Sequence, residues 1–140
     1  MKRSASAVWS GDLKSGNGQF SAISGAFDSL PYSFAKRFEN EAGTNPEELI
    51  AAAHAACYSM ALSAFLGNNG FLANTINTTA EVTLEPVDGA QTITRSHLTV
   101  VASVDNIEEA RFKEIAAEAK EKCPVSRALN LEITLEASLG

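Results

Sequence analysis

Cysteine is scarce in this sequence: among 140 residues there are only two, Cys57 and Cys123. Two cysteines cannot build the disulfide framework of a small secreted domain, and with two widely spaced histidines they do not make a zinc pattern. In a cytosolic protein, cysteines are more often free, catalytic or metal-bound than permanently disulfide-bonded. We therefore predict no metal and no other cofactor, and the two thiols become candidates for redox chemistry.

Basic residues and long apolar runs are also few. The sequence has eleven lysines and arginines and seventeen acidic residues, so its net charge is -6. This acidic balance argues against nucleic acid as a partner. No signal-peptide segment follows Lys2 and Arg3. The apolar stretch 49–66 contains polar side chains and is predicted to be a buried helix, not a membrane span. We expect a cytoplasmic protein with no membrane partner, and the length fits one domain over residues 1–140.

The hydrophobic periodicity predicts an α+β fold. A turn-rich β-region comes first, and Asn45 and Pro46 then begin a long central helix that ends near Gly67–Gly70. Alternation predicts strands at 78–85, 93–104 and 131–139, and a shift of parity at Ile93 indicates a bulge. A further helix ends at Lys122. This order, with antiparallel hairpins, indicates α+β and not a parallel βαβ array.

The predicted central helix is apolar on nearly every face. Such a helix is normally covered by other elements or by other subunits. In a chain of 140 residues, this pattern indicates a homodimer with the helix in its middle.

Each cysteine has two interpretations. Cys57 lies on the central helix, where a buried cysteine often serves only as a small apolar side chain. Cys123 either ends an amphipathic helix or caps a short helix beginning at Pro124, whose free N–H groups would lower the pKa of its thiol. As a pair, the two fit a thiol that attacks a peroxide and a thiol that then resolves the sulfenic acid. Sequence alone does not show the close approach that a disulfide requires.

A thiolate also needs a cation, and Arg37 is the candidate. Its guanidinium would lower the thiol pKa and orient peroxide oxygens, although a solvated surface arginine is the common alternative. Glu47 could hold Arg37 through a bidentate pair, or it could simply be a favourable charge in the first turn of a helix. Glu47 and Cys57 are ten residues apart, about 15 Å along a helix. If both are catalytic, either the helix is broken between them or Glu47 comes from a second subunit, and the second subunit is the preferred interpretation.

The two histidines are weaker candidates. His54 lies three residues before Cys57, close enough on a helix for a Cys–His dyad. A core or interface histidine is the preferred interpretation, because the neutral imidazole tolerates burial. His97 lies on a predicted strand and has no identifiable partner.

Three segments of the chain carry the motifs of one protein family. They are Trp9-Ser10-Gly11-Asp12, the block from Asn45-Pro46-Glu47 to Ala55-Ala56-Cys57, and Cys123-Pro124-Val125-Ser126. On these motifs the chain resembles the osmotically inducible protein C (OsmC) family. It is more similar to the OsmC branch than to the organic hydroperoxide resistance branch, which usually has Gln and Phe where this chain has Glu48 and Ile50.

The resemblance implies a fold and an activity. The fold would be OsmC-like, with antiparallel sheets packed around a long central helix in an intertwined homodimer that has its active sites at the interface. The activity would be reduction of organic hydroperoxides, with Cys57 as the peroxidatic and Cys123 as the resolving cysteine. Glu47 and Arg37 match the catalytic glutamate and arginine. A dithiol, with lipoyl-bearing proteins as the expected donors, would recycle the enzyme.

Two other classes of function stay open. One is a non-catalytic stress or ligand-binding dimer that holds a lipid at its apolar interface, and another is a redox sensor. Because a binding module needs neither thiol, the pair of Cys57 and Cys123 favours the enzyme.

Overall fold

Three short strands form the first of two compact units in the chain. The computed structural model describes all residues, 1–140, and divides into Met1–Leu49 and Ile50–Gly140. In the first unit, an antiparallel sheet has the order β1 (Ala5–Ser10), β2 (Asn17–Ala22) and β3 (Leu30–Ser33). The turn-rich β-region is confirmed. A single domain over residues 1–140 stays a prediction.

A short helix, α1 (Phe34–Phe38), follows β3 directly. The Ser33 side chain begins it by accepting a 3.2 Å hydrogen bond from the Lys36 N–H, as expected of an N-cap serine. The rings of Phe34 and Phe38 lie 4.8 Å apart on one side of the helix. Sequence analysis did not predict this element, because five residues carry too little periodicity to identify a helix.

The central helix, α2 (Pro46–Asn68), has 23 residues and no break. Asn45 Oδ1 accepts a 2.8 Å hydrogen bond from the Glu48 N–H, which confirms the predicted N-cap. The helix gives way to a turn at Gly70, whose φ of 83° suits a glycine. Its predicted start and end are both confirmed.

The second unit contains a three-stranded sheet in the order β4 (Ala73–Val87), β5 (Ala90–Val104) and β6 (Glu132–Leu139). The register of the antiparallel β4–β5 hairpin shifts between Thr83 and Leu84, so the predicted bulge is present. Strands β5 and β6 pair in parallel, which the expectation of antiparallel hairpins did not include. The reason is that α3 (Glu109–Lys122) and α4 (Pro124–Ala128) carry the chain back before β6 begins.

The core of the second unit lies between α2, β5 and α3. Its fully buried side chains come from these three elements and from the residue that follows α3; they are Tyr58, Leu62, Leu66, Leu98, Val100, Ala102, Phe112, Ile115, Ala116, Ala119 and Cys123. Cys123 is therefore part of the hydrophobic core, as its place on the inner stripe of α3 predicts.

Much of the apolar surface of α2 is not covered within one chain. By length and composition alone α2 could cross a membrane, although the core helix of a soluble protein meets the same test. Only 22% of its most apolar stretch is buried, and Met60 is 76% exposed. Burial of apolar area is what stabilises such a helix in water.

Candidate active site

The two thiols lie together in the second unit. Cys57 is half-buried on α2, and Cys123 is fully buried where α3 ends and α4 begins. Both are free cysteines, and the Cys123 side chain is close enough to Cys57 to raise the pKa of its thiol. Cys123 belongs to the buried core of the second unit and Cys57 packs against that core, so the two thiols lie in the same region of the chain.

The protonation of Cys57 is governed by its burial and by two neighbours, Val125 and Cys123. Burial raises the pKa of the Cys57 thiol most, a hydrogen bond from the Val125 N–H lowers it, and the Cys123 side chain raises it. The pKa is raised on balance. Within the second unit, therefore, Cys57 lacks the positive charge that an attacking thiolate requires.

The sequence predicts that the free N–H groups of α4 act on Cys123, but in the structure one of them acts on Cys57. Cys123 is its N-cap and Pro124 its first residue, as predicted, but the Cys123 side chain makes no capping hydrogen bond. The N–H of the next residue, Val125, donates instead to Cys57. The short helix therefore stabilises a negative charge on the Cys57 sulfur.

Arg37 and Glu47 lie together in the first unit. Arg37 Nε is 3.1 and 3.2 Å from the two carboxylate oxygens, and Nη2 is 2.6 Å from Oε1. This is a bidentate ion pair that fixes the plane of the guanidinium. The Glu47 side chain is 11% exposed and that of Arg37 is 36% exposed, so the pair still presents N–H groups for another ligand.

An apolar cleft adjoins this ion pair. It has a volume of about 250 Å³ and is lined by Arg37 together with aromatic and aliphatic side chains; the latter are Trp9, Leu13, Tyr32, Phe34, Phe38 and Pro46. The rings of Trp9 and Tyr32 are 5.3 Å apart on its wall. The cleft combines an apolar wall with one cationic group, which suits an apolar molecule carrying a polar end.

The ion pair and the thiols are separated along α2. This helix is unbroken from Glu47 to Cys57, and a ten-residue separation corresponds to about 15 Å along the axis. The chain thus brings together Arg37 with Glu47 and, separately, Cys57 with Cys123.

No group of three or more His, Cys, Asp or Glu side chains lies close enough together to bind a metal ion.

His54 is a buried histidine of the second unit, as the preferred interpretation of the sequence has it, but its two partners were not predicted. Its Nδ1 is 2.7 Å from Ser96 Oγ and its Nε2 is 2.9 Å from Ser126 Oγ. Burial lowers the pKa of His54, so the ring is neutral. Because serine hydroxyls occupy both ring nitrogens, His54 is a core histidine and does not form a dyad with Cys57. A local sequence signal for these partners does not exist, since Ser96 and Ser126 are 42 and 72 positions away.

His97 also has a partner that the sequence did not reveal. Its Nδ1 is 2.7 Å from Thr134 Oγ1, across the parallel pairing of β5 with β6. This contact is structural, and it depends on a strand pairing that could not be read from local patterns.

Comparison with known proteins identifies the family. A sequence model described as OsmC-like protein matches residues 38–138. Peroxiredoxin OsmC of Escherichia coli strain K12 is 50% identical over 133 residues, which cover 95% of this chain and 93% of that protein. The chain belongs to the OsmC family. Its resemblance to the OsmC branch is confirmed, and it is a peroxidase of that branch.

Solved structures of OsmC-family proteins share the whole fold. An OsmC-like protein of unknown function from Vibrio cholerae has a TM-score of 0.77 at 16% identity, covering 98% of this chain and 99% of that one. An organic hydroperoxide resistance protein from Elizabethkingia anophelis has a TM-score of 0.76 at 21% identity, covering 100% and 99%. These likenesses concern the fold alone, and they confirm the α+β, OsmC-like architecture.

Proposed function

We propose that this OsmC-family peroxidase reduces organic hydroperoxides with Cys57 as the attacking thiolate and Cys123 as the resolving thiol. The observation that carries the proposal is the contact between two free cysteines, one of which receives the Val125 N–H. A hydrogen bond to the sulfur favours its charged form, and the thiolate is the nucleophile.

The reaction proceeds in three balanced steps. The Cys57 thiolate attacks the distal oxygen of ROOH, the O–O bond breaks, and the alkoxide takes a proton and leaves as ROH. Cys57 is then a sulfenic acid, and the Cys123 thiol attacks its sulfur to give a Cys57–Cys123 disulfide and water. A dithiol reductant exchanges with this disulfide, restores both thiols and leaves as its own disulfide.

The positive charge for Cys57 comes from a second subunit. Burial raises the pKa of Cys57 within its own chain, while Glu47, the partner of Arg37, is ten residues from Cys57, about 15 Å along α2. A homodimer built on the uncovered apolar surface of α2 would place the ion pair of one chain beside the thiol of the other. Glu47 then orients Arg37, and the free guanidinium N–H groups stabilise the thiolate and the peroxide oxygens.

The apolar cleft beside Arg37 supports an organic substrate. Its aromatic wall fits the hydrocarbon part of a hydroperoxide, and burial of that part contributes binding free energy that hydrogen peroxide cannot supply.

The cytoplasm is the proposed location, with a lipoyl-type dithiol as the proposed reductant. The same cleft also fits a lipid-binding dimer without activity, which would use neither cysteine.

The test is consumption of cumene hydroperoxide with dihydrolipoamide as reductant. Wild type is expected to turn over, and Cys57→Ser is expected to be inactive. The matched control is Cys123→Ser, which replaces the same sulfur by oxygen at the second thiol. This variant should consume about one equivalent of cumene hydroperoxide and then stop. If Cys57→Ser retains wild-type turnover, the assignment is wrong. Equal, negligible consumption by all three proteins would favour the lipid-binding alternative.

A further inference from the structure

The buried imidazole of His54 connects three elements of the second unit. It belongs to α2, its Nδ1 contacts Ser96 Oγ on β5 at 2.7 Å, and its Nε2 contacts Ser126 Oγ on α4 at 2.9 Å. The His54 side chain is 0% exposed. His54 has no role in the proposed reaction, although it lies three residues before Cys57.

Helix α4 depends on this contact for its position. It has only five residues, and Ser126 is the only one of them that is buried. A helix of this length has no stability of its own and is held by its tertiary contacts. Val125 also packs against the core but is only partly buried, so the one fully enclosed side chain of α4 is the one whose hydroxyl contacts His54.

The His54–Ser126 contact and the two thiols have the same spacing along their segments. His54 precedes Cys57 by three residues on α2, and Ser126 follows Cys123 by three residues. Two links consequently join α2 to this segment: the His54–Ser126 hydrogen bond, and the contacts of the Cys57 sulfur with Cys123 and the Val125 N–H. The second link changes its chemistry in every turnover, whereas the first does not.

We propose that His54 is a positioning residue, which holds α4 through Ser126 so that the Cys123 thiol and the Val125 N–H stay directed at the Cys57 sulfur. The inference rests on the proposed function. His54 touches no reacting atom, and it supplies no cation, because a neutral ring with one donor and one acceptor nitrogen satisfies both serines.

The two serines provide a matched pair of variants. Ser126→Ala removes the hydrogen bond to α4, and Ser96→Ala removes the hydrogen bond from β5 to the same ring. Each deletes one buried hydroxyl, so the two have similar costs in folding free energy. Only Ser126→Ala releases the segment that carries Cys123.

The measurement follows one turnover. Reduced protein receives one equivalent of cumene hydroperoxide and dimedone, and mass spectrometry gives the fractions of Cys57–Cys123 disulfide and of Cys57 trapped as sulfenic acid. Ser126→Ala is expected to slow disulfide formation about tenfold, the factor that corresponds to loss of one hydrogen bond. Ser96→Ala is expected to stay within about twofold of wild type.

Two further readouts separate positioning from general stability. His54→Gln, whose amide can both donate and accept, is expected to restore much of the disulfide rate that His54→Leu loses. In Ser126→Ala, the pH profile for alkylation of Cys57 is expected to move to higher pH, because the Val125 N–H no longer stabilises the thiolate as well.

The outcomes are distinguishable. If wild type forms no Cys57–Cys123 disulfide, the proposed function fails and the positioning role fails with it. If wild type forms the disulfide and Ser126→Ala forms it equally fast, the function stands and the positioning role is overturned. An equal slowing by Ser96→Ala and Ser126→Ala overturns it as well, since that result reflects loss of stability alone.

Discussion

Glu47 and Glu48 are neighbours with the same charge, but only Glu47 contacts Arg37. Glu47 forms the bidentate pair, whereas the exposed Glu48 carboxylate accepts a 3.3 Å hydrogen bond from Thr44. Glu47→Gln is therefore expected to lower kcat/KM for cumene hydroperoxide by about tenfold or more, because a neutral amide pairs less strongly with a guanidinium. Glu48→Gln removes the same charge and should leave kcat/KM within about twofold. Equal losses in both variants would exclude a specific role for the ion pair.

His54 makes stability depend on pH in a defined window. Burial lowers its pKa in the folded state, so the unfolded chain binds more protons once the pH falls below the ordinary value of about 6.5. The free energy of unfolding should then decrease with falling pH, with a slope of at most about 1.4 kcal/mol per pH unit from this group. Urea titrations at pH 7.5 and 5.5 measure it. His54→Gln cannot titrate and should lose less stability than wild type over this interval, while parallel losses would contradict the assignment.

At the scale of single residues, the sequence motifs pointed to the four proposed catalytic side chains but not to what supports them. Arg37 and Glu47 lie together as an ion pair, and Cys57 meets Cys123. The His54–Ser126 hydrogen bond joins residues 72 positions apart, and the Val125 N–H is a backbone group that no residue type reveals. Both depend on how α2 packs against α4, which is a tertiary property.

At the scale of elements, the start of α2 is set by Asn45. Its side chain accepts the Glu48 N–H at 2.8 Å, one of the unpaired donors at a helix N-terminus. Asn45→Ala is expected to lower the free energy of unfolding by about 1 kcal/mol, measured by urea denaturation. Asn45→Asp keeps an acceptor oxygen at the same place and is expected to retain wild-type stability. A similar loss in both variants would mean that the cap contributes little.

Elements with strong local signals were predicted well, and those without them were not. Helix α2 has a cap at one end and a glycine turn at the other, and most of the β4–β5 hairpin alternates on either side of its bulge. Helix α1 has only five residues, fewer than two turns. The parallel direction of β6 follows from the α3–α4 connection, and a strand's own pattern does not encode which way its neighbour runs.

At the scale of the whole molecule, the uncovered surface of α2 and the incomplete site have one common explanation. Only 22% of the most apolar stretch of α2 is buried in one chain, and Cys57 lacks a cation in its own unit. The proposed twofold dimer would cover the helix and complete the site in the same step, since its interface is self-complementary. The proposed dimer therefore has two equivalent sites, and each is expected to need Arg37 from one chain and Cys57 from the other.

Mixing two inactive variants tests this prediction directly. Cys57→Ser keeps Arg37 and Glu47, while Arg37→Ala keeps both cysteines. If the site forms across the interface, a mixed dimer has one complete site of its two, so mixed dimers purified away from both parents have roughly half the wild-type site concentration. If the site forms within one chain, no mixed dimer contains a complete site. The two variants, co-expressed with different tags and purified on both, are expected to consume cumene hydroperoxide with dihydrolipoamide. Mixed dimers as inactive as their parents would show that Arg37 does not act from the other subunit.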